Sequence, residues 1–86
     1  MGYRKFDVVK IAAKRQLAVR IAIMEISREF PWPADIAHIL RTDRRRLHPH
    51  ITWLLKHGYL EKGETDGRAY KVKLTKRGRE TLHNLT

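Results

Sequence analysis

Pro31 and Pro33 flank Trp32, and no regular helix runs through that triplet. Each proline lacks a backbone N–H, and its ring pushes the residue before it out of the helical region. Upstream, from Phe6 to Phe30, neither glycine nor proline interrupts the chain. That run predicts a helix over residues 8–30, or two helices with a bend near Lys14 to Gln16. Asp7 is suited to cap it, with Phe6 stapling onto Ile11.

Downstream, ADIAHILRT predicts a short helix, with Pro33 fit for its first turn and Ile36, Ala37, Ile39 and Leu40 on one buried side. TDRRRLHPHITWLLKHG, residues 42–58, predicts a third. Asp43 is a good N-cap, Leu47, Ile51 and Leu54 recur at i, i+4 and i+7, and Gly58 closes it. Residues 59–74 read as a hairpin in which Tyr70, Val72 and Leu74 alternate with Lys71 and Lys73. Asp66-Gly67 supplies the positive φ angles of its turn. Thr75 can cap a last helix reaching about Leu85, with Leu82 and Leu85 facing inward. The expected fold is a single domain, residues 1–86, mainly α with a small β-hairpin in the order α-α-α-β-β-α.

The formal net charge is +10, beyond the roughly 2–8 that solubility requires of a small domain. It is clustered: residues 41–56 carry +4 and 68–79 carry +6, whereas 21–40 and 57–67 are each at −2. Separate basic segments gathered on one face point to a polyanion as partner. There is no cysteine, hence no disulfide or thiolate metal site. The most apolar run, QLAVRIAIMEIS, is broken by Arg20 and Glu25 and falls short of the roughly 20 residues of a helical span. The start MGYRKFDVV has no apolar signal core, and Phe6 stands where myristoylation wants Ser or Thr. A soluble cytoplasmic protein, associated with the nucleoid and without membrane contact, is expected.

At about 100° per residue, the side of helix 43–57 opposite Leu47, Ile51 and Leu54 is Arg45, Pro49, Thr52 and Lys56, flanked by Arg46, Trp53 and His48. A helix about 10–12 Å across fits a major groove about 12 Å wide. Arginine's planar fork matches the two acceptors of a guanine edge, where lysine offers a compact charge. Arg45 and Arg46 are therefore expected toward bases, Arg44, Thr52 and Lys56 on phosphates, and His48 on either. The plainer alternative is a solvated helix start, but three arginines there oppose the helix dipole by a few tenths of a kcal/mol each. In the hairpin, Arg68 beside the turn is placed for a minor groove. Lys71 and Lys73 can follow the backbone, although Glu64 and Asp66 at the tip repel phosphate.

Other chemistry finds little support. His48 and His50 diverge by about 200° on a helix, so the five histidines form no metal set. No Ser/His/Asp set, carboxylate pair or phosphate loop is present. No enzyme activity, cofactor or small-molecule substrate is expected, and Trp53 reads as a half-buried anchor against the hairpin.

DIAHILRTDRRRLHPHI and HGYLEKG…DGRAYKVKLTKRGRETL together resemble the winged helix-turn-helix of MarR-like, ArsR-like and PadR-like prokaryotic transcriptional regulators, over about residues 15–86. The resemblance implies sequence-specific binding of double-stranded DNA, usually as a homodimer, with the recognition helix at 43–57 and the wing at 59–74. Two positions depart from the pattern: Arg41 and Thr42 replace the usual glycine and apolar residue of the turn, and Pro49 lies inside the recognition helix, where it is expected to kink it.

Two other functions fit the charge: an architectural, chromatin-type protein with little sequence preference, and an RNA- or protein-binding winged helix. Residues 17–30 carry two apolar stripes, Leu17, Ile21 and Met24 on one side and Val19, Ile23, Ile26 and Phe30 on another. A small three-helix core covers only one. Spacing does not choose between them; the uncovered one, taken as Val19, Ile23, Ile26 and Phe30, is the expected interface of a homodimer joined mainly through residues 8–30.

Overall fold

The computed structural model of the protein describes residues 16–85, so the Asp7 cap, the Phe6 staple and the segment 8–15 lie outside the described residues. Four helices and a hairpin follow in the expected order. They are α1 (Gln16–Ser27), α2 (Pro33–Ile39), α3 (Arg44–Lys56), β1 (Leu60–Asp66), β2 (Ala69–Leu74) and α4 (Lys76–Leu85). This is the winged helix-turn-helix architecture.

α1 ends ahead of the proline pair, where the Ser27 hydroxyl turns back to donate to the Met24 carbonyl at 2.7 Å. The chain then runs beside the hairpin, and the Val72 N–H donates to the Pro31 carbonyl at 2.8 Å. α2 starts with Pro33 in its first turn, where a missing N–H costs nothing. α3 is capped as the sequence predicts: Asp43 Oδ1 accepts from the Arg46 N–H at 2.8 Å. Leu47, Ile51 and Leu54 are buried, and the helix runs on through Pro49 on its exposed side.

The expected partner-facing stripe of α1 needs correction. Ile23 is 0% and Ile26 1% exposed, both inside the chain's own core, and Met24 of the other stripe is buried with them. α1 packs against α2, α3, α4 and β2. Covered from so many directions, it buries residues of both stripes, whereas the sequence argument allowed for a three-helix core alone. Val19 and Ile21 are half-buried, leaving Leu17 at 67% and Phe30 at 44% exposure as the open apolar side chains of this segment.

The link between α2 and α3 resolves the Arg41 departure. The Thr42 N–H reaches the Ala37 carbonyl at 2.9 Å and the Arg41 N–H reaches that of His38 at 3.1 Å. These two bonds make a Schellman closure, whose residue after the cap must be left-handed. Arg41 takes that conformation, with φ 54°. The turn keeps its geometry and the arginine bears a steric cost of about 1–2 kcal/mol. Gly58, at φ 79°, closes α3 in the same way.

β1 and β2 pair antiparallel with Leu60 opposite Leu74 and Lys62 opposite Val72; Gly63 and Glu64 then bulge opposite Lys71. Asp66 and Ala69 are themselves a pair, so the two turn residues are Gly67 and Arg68 rather than Asp66 and Gly67. Gly67, at φ 61°, supplies the positive φ that a type II′ turn needs at its first central position. Thr75 caps α4, accepting from the Gly78 N–H at 3.0 Å. Leu82 is buried as expected. Leu85, in the last turn of α4, is 58% exposed instead of facing inward.

Candidate nucleic-acid interface

Burying Leu47, Ile51 and Leu54 leaves one side of α3 to solvent, and Arg44, Arg45, Arg46, His48, Pro49, Thr52 and Lys56 are all exposed. Asp43 offsets part of the clash between the arginines and the positive helix end. Its ion pair with Arg46, Nε to Oδ2 at 3.8 Å, is exposed and worth little. Arg46 is therefore not held away from a ligand. His48 and Thr52 lie one turn apart, with Nε2 3.4 Å from Oγ1, and act as one polar step beside the arginines.

The wing adds to this side through its turn. Arg44, His48 and Arg68 line a common recess floored by Leu47, Ile51 and Pro33, with Tyr70 at its edge. Three of the sequence-predicted residues, two from one turn of α3 and one from the distant wing, thus meet between α3 and the hairpin. Lys71 does not join them. It alternates with Tyr70 and so lies on the opposite hairpin face, its Nζ 3.6 Å from Glu64 Oε2 and 5.6 Å from the centre of the Trp32 ring.

Lys62 is the wing lysine on the Tyr70 side, its Nζ 4.7 Å from the ring centre, and sequence reasoning passed over it. Counting in twos from buried Leu60 would have found it.

Across α3 from Arg68, a second recess is lined by Arg41, Thr42, Arg46 and His50, over Val19, Leu40 and Leu47. His50 belongs to the inner side. Burial, and then the charge of Arg20, lower its pKa from the ordinary value of 6.5. Its Nδ1 is buried without a hydrogen-bond partner among the described residues. His48 and His50 thus face different surroundings, as their angular separation predicts.

The C-terminal half of α3 is fixed by stacking. The Trp53 ring lies 5.8 Å from that of Tyr59, at 7° between planes, and 4.0 Å from that of His57. The Arg20 guanidinium sits 3.9 Å from the Trp53 ring centre and that of Arg77 4.7 Å from the Tyr59 ring centre. Trp53 is the anchor expected of it, tying α3 to α1 and to the base of the wing. That end is held against α1 and the base of the wing, and the exposed arginines project from the other.

Among the described residues no helix is long and apolar enough to cross a membrane, and no three His, Asp or Glu side chains gather as a metal set. No protein-family model and no curated protein matches the chain. Among solved structures, a MarR protein from Peptoclostridium difficile superposes with a TM-score of 0.67 at 20% identity. The match covers 90% of this chain but 52% of that one, so this chain spans about half the length of its structural neighbour. The element order and this likeness together give the conclusion: the chain has the winged helix-turn-helix fold of which MarR proteins are an example.

Proposed function

We propose that the protein is a sequence-specific, double-stranded DNA-binding transcriptional regulator, with α3 in the major groove and the wing turn against the backbone or minor groove. The observation that carries this reading is the meeting of Arg44 and His48 of α3 with Arg68 of the wing at one recess, beside exposed Arg45, Arg46, Thr52 and Lys56. Arg45 and Arg46 read base edges, and Arg44, Thr52 and Lys56 hold phosphates. His48 does either. Arg68 and Lys62 serve the flanking backbone; Lys71, on the other hairpin face, is at most peripheral.

The likeness to a MarR protein supports a regulator rather than an enzyme. The acting unit is a homodimer on a two-fold site, since the domain is small and leaves Leu17, Phe30 and Leu85 exposed. Such a protein works on the nucleoid, in the cytoplasm. Titration of a selected duplex against scrambled competitor tests the reading. A regulator prefers its site by roughly 10³ or more; near-equal binding would make the protein architectural instead.

A further inference from the structure

We propose that Arg41 is a phosphate contact, gripping the DNA strand on the far side of the recognition helix from the wing. The proposal rests on the DNA-binding reading above and adds a residue that the exposed face of α3 does not include. The bonds that close the α2–α3 link use only the backbone N–H groups of Arg41 and Thr42. Glycine would make the same bonds without the clash that a Cβ meets at φ 54°. The fold therefore gains nothing local from an arginine here.

The side chain does not recover that loss among the described residues. Arg41 is exposed, and its guanidinium has no hydrogen-bond or ion-pair partner among the described residues. A strained residue with an unused cation calls for a use outside the fold.

Its position supplies one. α3 has a recess along each flank, one lined by Arg44, His48 and Arg68 and the other by Arg41, Arg46 and His50. A helix about 10–12 Å across fills a major groove about 12 Å wide, so its two flanks face the two phosphate walls. Arg68 serves one wall from the wing. Arg41 serves the other from the turn, while Arg46 beside it reaches inward to the bases. The contact is electrostatic and independent of sequence; it fixes register rather than reading bases.

Arg41→Gly separates the two consequences, because it relieves strain and removes the cation together. Wild type, Arg41→Gly and Arg41→Lys are titrated with one selected duplex and with a scrambled one over a salt series, and each is melted without DNA. Arg41→Gly should melt higher, by about 4 °C. It should bind both duplexes about eightfold more weakly near 0.1 M salt, with a salt slope smaller by about one. Arg41→Lys should keep the slope. Wild-type affinity and slope in Arg41→Gly would overturn the contact and leave the DNA reading standing. A loss confined to the selected duplex would also overturn it, since that is the mark of a base contact. Wild type failing to bind either duplex would overturn the reading and the contact together.

Discussion

Gly78→Ala sets two effects of opposite sign against each other. Helix propensity favours alanine, by at most about 1 kcal/mol at a position this near the start of α4. Against it stands the close approach of α4 to the strand before it. A Cβ at Gly78 would overlap the Tyr59 carbonyl oxygen and lie 2.7 Å from Leu74 Cδ1 and 3.1 Å from its Cγ. The leucine tip can rotate. The Tyr59 carbonyl cannot, because it accepts from the Thr75 N–H at 3.1 Å while the Tyr59 N–H is tied to Leu54 at 2.9 Å. Relief requires α4 to lift away from the α3–β1 link, and such overpacking costs typically about 1–3 kcal/mol. With backbone as the obstacle the upper part of that range applies, for a net loss of about 1–2 kcal/mol. The melting temperature should fall by about 4–16 °C, read by circular dichroism on DNA-free protein. Gly58→Ala makes the contrast: a Cβ there meets nothing within 4 Å, so any loss comes from the φ of 79° alone. Gly78→Ala melting at or above wild type would refute the close-approach argument.

Arg68→Ala should weaken binding modestly, and more at sites whose flanking minor groove is narrow and A·T-rich; unchanged affinity at both kinds of site, by competition titration, would take the wing turn off the DNA. His50 makes stability depend on pH. Its folded pKa lies below 6.5, so the unfolded chain binds the proton first, and the stability present above 6.5 is lost as pH falls through the folded value. Melting temperature should therefore drop below about pH 6.5, and less in His50→Gln; equal pH profiles would exclude His50 as the cause. Sedimentation at micromolar concentration should give about twice the chain mass. Ile23→Asp should unfold the chain rather than release folded monomers, because Ile23 is wholly buried within it.

Much of the fold follows from local signals the sequence carries openly. The Asp43 cap, the stripe of Leu47, Ile51 and Leu54, the proline pair and the alternation in β2 each depend on neighbours a few residues away. What escaped depends on distant ones. Whether Ile23 meets its own chain or a partner is decided by α4 and β2 packing onto α1 from outside the helical trio. Leu85 has an inward spacing but is left exposed, with no element among the described residues covering it. At the interface, the basic face of α3 was legible from periodicity, and so was Arg68 at the wing tip. Lys62 was legible too, by counting in twos from Leu60, but alternation along β2 does not show that Lys71 lies beside Trp32, away from the recess at α3. Arg41 was visible as a departure at the turn. Only the backbone shows that the turn keeps its shape and the arginine carries the strain.

Selection of binding sites from random duplexes, run in parallel on wild type, Arg45→Ala, Arg46→Ala and Lys56→Ala, tests the central claim most directly. Wild type should enrich one site. Arg45→Ala and Arg46→Ala should each relax preference at particular base positions, at a cost of about 1–3 kcal/mol for the original site. Lys56→Ala should enrich the same site as wild type, binding every duplex more weakly and with a salt slope smaller by about one. No enrichment by wild type, or an identical site with undiminished selectivity in both arginine variants, would contradict the assignment of α3 as the helix that reads DNA.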